Sequence, residues 1–385
     1  MIKRLVTTIC VGALLGTAAH ARPNPEVLEI GAAMPSFELP GIDGKTYSQD
    51  DFADARVLAI LFTCNHCPAS VAASDRIEQI HQDYKDRGVA LVAVNPNHPD
   101  SLRPDELGFS PYNDSFEEMA PFAADLEWTF PYLYDGETQE FARACGTQAT
   151  PHVFVFDADR KLRYTGRMDD GGRNRGPVEK SYIRDAIDAL LEGGEVADPV
   201  TRAIGCSTKW HHLAENVAAD QKRWEALPVT LEDLDEELAK KIRANESGNV
   251  RFINFWATTC GACIVEFPDL VETYRRFQNR NVDFVSITLD PEDRRAAALR
   301  FLENQHSSVS PRTKASLERE GRTTGNYIWT GGNPDDLAEA IDPEWTGAMP
   351  HTIIVAPGGE ILWRFTGKVD PFELRRQLLS ALEKH

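Results

Sequence analysis

An α/β chain made of two copies of one fold, each a central mixed sheet flanked by helices, is predicted from three observations. Apolar, strand-like runs alternate with helical stretches through both halves of the 385 residues. Each half carries a Cys-x-x-Cys motif directly after such a run, Cys64–Cys67 in the first and Cys260–Cys263 in the second. The distance from that motif to a Pro-His opening a later strand is nearly the same in both: Pro151 follows Cys64 by 87 residues and Pro350 follows Cys260 by 90. The motifs themselves are offset by 196 residues, which marks a two-copy repeat and not a solenoid.

Taken in order, residues 1–21 read as a cleaved export signal. Lys3 and Arg4 precede the mostly apolar Val6–Leu15, and Ala19-His20-Ala21 is a small-x-small cleavage site. The mature chain is then expected to start at Arg22, to be periplasmic or secreted, and to have no membrane insertion. The first copy occupies 22–205 and the second 229–385, joined by a polar, helix-compatible linker at 206–228. In the first copy the unbroken apolar run Arg56–Phe62 is expected to be a buried parallel strand. A helix follows the cysteines to about Arg87, then the strand Val89–Val94 and a polar, proline-rich loop over Asn95–Tyr112. Helices at Asp114–Leu126 and Glu137–Ala144 enclose a short strand, Tyr132–Tyr134. A hairpin, Val153–Phe156 with Leu162–Gly166, leads to the helix Pro177–Leu191. The second copy repeats this order: helix Leu231–Ile242, strand Val250–Trp256, a helix from Cys260, strand Val282–Leu289 and helix Arg294–Asn304. The hairpin Thr352–Val355 with Ile361–Phe365 and the helix Pro371–Leu382 close it. Residues 305–335 fit neither pattern and are expected to form a lid or a partner surface.

Charge narrows the function. Sixty acidic residues against 41 basic ones give −19, and −21 once Lys3 and Arg4 are removed. That excludes nucleic acid and anionic membrane surfaces as partners. Of seven cysteines, Cys10 lies in the signal, which leaves six. An even number suits an oxidising compartment. Loops as tight as Cys-x-x-Cys staple a fold poorly and suit redox exchange better.

A Cys-x-x-Cys between a strand and a helix has a specific chemical use. The helix N-terminus offers free N–H groups and partial positive charge, which stabilise a thiolate. Cys260 is the expected nucleophile and Cys263, one turn deeper, the resolving thiol. Cys64 and Cys67 are assigned the same roles in the first copy. His66 between them is expected to stabilise the Cys64 thiolate as an imidazolium, making that pair the more oxidising; Ala262 cannot do this in the second copy. Glu266 lies three residues after Cys263 on the same helical face, placed to take or return its proton. His152 and His351 are expected to be packed and hydrogen-bonded strand residues.

The segment Arg251–Pro268, with its aromatic strand, Trp256-Ala257, Cys-x-x-Cys and Glu266-Phe267-Pro268, resembles the thioredoxin superfamily, in particular its TlpA/ResA-like thiol–disulfide oxidoreductases. The first copy is similar to a bacterial redoxin family. That likeness rests on Pro35-Ser36-Phe37-Glu38-Leu39-Pro40, Thr63-Cys64-Asn65-His66-Cys67-Pro68, Phe130–Asp135 and Ile204-Gly205-Cys206. The resemblance implies two thioredoxin-like folds and an exported enzyme that exchanges thiols and disulfides with exported proteins, such as apocytochrome c, in cell redox homeostasis and antioxidant activity. It implies no cofactor and a redox partner of unidentified kind. It also implies that Glu266 belongs to the active site and that Pro151 and Pro350 are cis, so that Thr150-Pro151 and Met349-Pro350 offer backbone to an extended substrate. The redoxin-like family has a cysteine directly before its Thr-Pro, where this chain has Ala149. For Cys145 and Cys206 two readings stand, a structural disulfide and two buried free thiols. Peroxidase activity is not expected, because Leu61 stands three residues before Cys64 where peroxiredoxins have Thr or Ser. The alternative function is copper or zinc binding by the cysteine pairs. A joint Cys₄ zinc site is disfavoured, since 193 residues separate Cys67 from Cys260.

Overall fold

The structure is a computed structural model that describes residues 24–385. The export signal expected at residues 1–21 lies outside the described residues. Each half is built on one mixed sheet. In the first, Val57–Phe62 is central, parallel to Val89–Asn95 and antiparallel to His152–Phe156, with Tyr132–Tyr134 and Leu162–Gly166 at the edges. The central strand shows why an unbroken apolar run was required. Val57, Ala59 and Leu61 enter the core under the helices Pro68–Tyr84 and Tyr182–Leu191, while Leu58, Ile60 and Phe62 enter a second core with Phe37, Phe141 and Trp210.

The second sheet has six strands in the order Glu232–Leu234, Asn326–Trp329, Val282–Thr288, Val250–Trp256, His351–Val355, Ile361–Thr366. Along its central strand Val250, Phe252 and Trp256 face the core beneath the helix Gly261–Phe277, and Ile253 and Phe255 face the opposite one. Asn254 shares the parity of Phe252 and Trp256, so it lies on the face of that helix.

Three expectations are corrected. Residues 305–335 are not a lid over the fold but part of it. They supply the helix Pro311–Arg319 and a fully buried strand, Asn326–Trp329, inside the sheet. The stretch expected to begin a helix at Leu231 first forms the edge strand Glu232–Leu234. The helix starts only at Glu236, where the Asp235 side chain accepts a hydrogen bond from the Leu238 N–H at 2.8 Å. The linker at 206–228 is divided between the two halves. Cys206-Ser207 pairs with Ala149-Thr150, and Trp210 is buried in the first core. The helix Ala214–Glu225 places Trp224 in the second core, with its indole N–H donating to the His306 carbonyl at 3.1 Å.

The halves meet where the loop at 104–113 lies against two helices of the second. Arg280 donates to the Gly108 carbonyl at 2.7 Å, and Arg276 and Arg375 both donate to the Pro111 carbonyl at 3.2 Å.

Candidate active sites

The second site follows the sequence expectation closely. Cys260 is the N-cap of the helix Gly261–Phe277, and its Sγ accepts the Cys263 N–H at 3.2 Å. Cys260 is half-buried, Cys263 is fully buried, and the two are joined as a disulfide. Pro350 follows a cis peptide bond from Met349. His351 pairs with Phe255, so Pro350 lies beside Trp256, at the end of the sheet that carries the cysteines.

Behind the cysteines, Glu266 has no solvent exposure. Its Oε1 accepts from Asn254 Nδ2 and its Oε2 from the Val369 N–H, each at 2.9 Å. Burial outweighs both hydrogen bonds and pushes its pKa up from 4.5 to about 7. The folded protein therefore holds a proton there that the unfolded chain releases between about pH 4.5 and 7. Stability falls as pH rises through that window, by up to ~3 kcal/mol. Glu266→Gln removes the titration. Urea unfolding of the oxidised protein should then lose its decline between pH 5 and 8, leaving the variant the more stable protein at pH 8. A parallel decline in both proteins would show that Glu266 is already ionised at pH 5. Asn254 Oδ1, buried without a partner, is available to accept the introduced amide.

The first site departs from expectation. Pro68 occupies the first turn of its helix, so the helix begins three residues later than in the second half and Cys67, not Cys64, is the N-cap. Both cysteines are fully buried. Burial pushes the Cys64 thiol well up; its Sγ shares a hydrogen with Thr150 Oγ1 across 3.1 Å. Cys67 is held well below an ordinary thiol by hydrogen bonds from the Cys206 and Cys64 side chains, against its own burial, with the charge of His66 adding to the effect. The Cys206 N–H also donates to Cys67 Sγ at 3.3 Å. Of the two thiols it is therefore Cys67, at the helix N-cap, that is lowered, and not Cys64, to which the sequence assigned the nucleophile; its Sγ donates to the Thr150 carbonyl at 3.1 Å. Pro151 is cis, and since His152 pairs with Phe62 it stands beside Thr63-Cys64.

One further residue organises this site. Asp114 Oδ1 accepts the backbone N–H groups of Asn65 and His66, at 2.9 and 3.2 Å. Its Oδ2 lies 2.6 Å from His66 Nδ1 and accepts from Asn97 Nδ2 at 2.7 Å. Burial alone would lower the His66 pKa, but the Asp114 carboxylate overrides it and the net shift is upward. Nothing in the sequence near Asp114 signals this role, because its partners lie 17 to 49 residues away.

The structural disulfide between Cys145 and Cys206 does not form. Cys145 is buried in the core with Phe37 and Phe141, whereas strand pairing brings Cys206 to Cys64 and Cys67. Both strand histidines are packed, as expected: His152 bonds Thr165, with its pKa lowered to about 4 by burial, and His351 bonds Asp342 and Thr366. Among the described residues two groups have ligand atoms close enough to share a metal ion: Cys64, His66 and Asp114, and His98, Asp100 and His211.

The Redoxin family matches the chain twice, over residues 29–182 and 225–378. Among proteins of known name, the chain is 22% identical over 146 residues to the thiol-disulfide oxidoreductase ResA of Bacillus anthracis, covering 38% of this chain and 69% of that one. It is 32% identical over 135 residues to a thiol:disulfide interchange protein DsbE homolog of Paracoccus denitrificans, covering 35% of this chain and 60% of that one. Among solved structures it is similar to an uncharacterized conserved protein from Geobacillus kaustophilus, 38% identical over 47% of this chain and 92% of the other, with a TM-score of 0.43. With one match in each half and both sheets built as described, the chain is a tandem of two thioredoxin-like domains and belongs to the Redoxin family.

Proposed function

We propose that the protein is an exported thiol–disulfide oxidoreductase that exchanges electrons with protein substrates through two separate Cys-x-x-Cys sites. The observation that carries this reading is the second site: a half-buried Cys260 at a helix start, a buried Cys263 behind it, and Pro350 at the same end of the sheet. In the reducing direction the Cys260 thiolate attacks a substrate disulfide, forming a mixed disulfide and releasing one substrate thiolate. Cys263 then attacks the Cys260 sulfur. That closes the Cys260–Cys263 disulfide and releases the second substrate thiolate, and Glu266 accepts the proton that Cys263 gives up. Two electrons have then passed to the substrate, and its two thiolates take their protons from solvent.

Support for the substrate class comes from the names of the ResA and DsbE relatives, which describe thiol–disulfide exchange. Exported proteins, apocytochrome c among them, are the proposed substrates, and residues 1–21 are the proposed export signal to the periplasm or exterior. Peroxidase activity is not part of the reading, since Leu61, a buried strand residue, stands three residues before Cys64. The second reading, a copper or zinc site, is favoured only by the closeness of Cys64, His66 and Asp114; stoichiometric metal on freshly reduced protein would support it. The test of the main reading is insulin-disulfide reduction with dithiothreitol as electron source. Replacing Cys64, Cys67, Cys260 and Cys263 together by Ser should bring turnover down to the uncatalysed rate, and undiminished turnover would overturn the assignment.

A further inference from the structure

We propose that Cys206 is a third redox thiol of the first site, closing a disulfide with Cys67 when that site is oxidised. The proposal rests on reading that site as a thiol–disulfide exchange centre. Cys206 lies 139 residues beyond Cys67, yet its backbone N–H donates to the Cys67 sulfur at 3.3 Å and its side chain packs against the Cys64–Cys67 cluster. A two-residue antiparallel ladder holds it there, with Thr150 opposite Cys206, directly before the cis bond to Pro151. The approach is built in at Gly205: a Cβ on that residue would lie 1.9 Å from the Thr150 carbonyl oxygen, so any larger residue would push the strand away from the site. Cys64, Cys67, Ala69 and Cys206 form a small cluster of their own, apart from the two large cores of the domain. Cys145 belongs to one of those cores and leaves Cys206 no other thiol partner among the described residues.

Exposure assigns the order of events. Cys64 and Cys67 are 0% exposed, and Cys206 is the one member of the trio that solvent reaches. A disulfide from outside therefore meets Cys206 first. The Cys206 thiol gives its proton to the adjacent Cys67 thiolate as its sulfur attacks, forming a Cys206–substrate disulfide and expelling one substrate thiolate, which takes a proton from solvent. Cys67 then loses its proton and attacks the Cys206 sulfur. The second substrate thiolate leaves with that proton and the Cys67–Cys206 disulfide remains. Attack by the Cys64 thiol on Cys67 moves the disulfide to Cys64–Cys67, and the Cys64 proton returns to Cys206. The substrate disulfide gains two electrons from the trio and two protons, one from the trio and one from solvent.

The test uses the full chain, reduced, then exposed to glutathione disulfide, quenched with N-ethylmaleimide and mapped as unreduced peptides. In Cys64→Ser, which blocks the last transfer, most molecules should yield a linked Cys67–Cys206 peptide. That link should vanish in Cys64→Ser/Cys206→Ser, leaving Cys67 alkylated or joined to glutathione. Cys64→Ala should repeat the Cys64→Ser result, which guards against a disturbance from the serine hydroxyl, and near-ultraviolet circular dichroism checks that each variant is folded. Wild-type protein forming Cys64–Cys67 while folded Cys64→Ser and Cys64→Ala leave Cys206 alkylated would overturn the third-thiol proposal alone. If wild type also leaves Cys64 and Cys67 alkylated, the exchange reading of this site falls with it.

Discussion

Cys260→Ser is expected to remove about nine-tenths or more of the turnover with a polypeptide disulfide such as insulin, while Cys64→Ser removes less than about a third. Access and helix placement both drive the difference. Cys260 is half-buried at the start of its helix, with Gly261 and Ala262 exposed beside it. In the first site the thiol with the lowered pKa is Cys67, which has no exposure and lies behind Cys206. A thiolate that a bulky partner cannot reach contributes little, however low its pKa. The contrast should shrink with a small disulfide, because glutathione disulfide needs much less room at Cys206. Initial rates for the two variants with both substrates decide the matter. Equal losses with insulin would mean that the first site opens to polypeptides as readily as the second.

The same contrast shows what the sequence could and could not disclose. The two-copy fold was legible because parallel strands buried on both faces demand unbroken apolar runs, and Val57–Phe62 and Val250–Trp256 stand out by that rule. The proline turns were legible from resemblance and repeat spacing together. The cysteine that caps the first redox helix was not, though a local signal existed: Pro68 suits the first turn of a helix, and that preference alone moves the start past Cys64 to Cys67. Asp114 and Cys206 reach the first site through contacts 48 and 139 residues long, which no short-range pattern encodes. Residues 305–335 were misjudged because the polar helix Pro311–Arg319 and the charges around it hide a buried strand. Of those charges, Glu320 and Arg322 turn inward to meet Arg251 and Asp283.

They form an ion network that should be the most sensitive point of the second domain. Arg251, inside the central strand and without solvent exposure, donates through Nε to Asp283 at 2.7 Å and through Nη2 to Glu320 at 2.5 Å. Arg322 donates through Nη1 to the same two carboxylates, each at 2.9 Å. Burial by itself would raise the Asp283 pKa, but the two guanidiniums overcome it and the net shift is downward. Removing that one carboxylate charge leaves two buried cations sharing Glu320. Asp283→Asn should therefore destabilise the second domain by ~3–5 kcal/mol. Replacing Arg251, Asp283, Glu320 and Arg322 together by apolar residues of similar volume should cost far less, since the desolvation of the charges disappears with the charges. The sign with pH follows from the lowered pKa. The stabilisation is present above the ordinary Asp value of 3.8 and is lost as pH falls below it, so acid unfolding of the wild-type domain should steepen there and that of Asp283→Asn should not. Urea unfolding followed by tryptophan fluorescence, at pH 7 and across pH 3–5, measures both effects. A loss below ~1 kcal/mol at pH 7 would mean that water reaches the unpaired guanidiniums, and that the network is not sealed as its burial indicates.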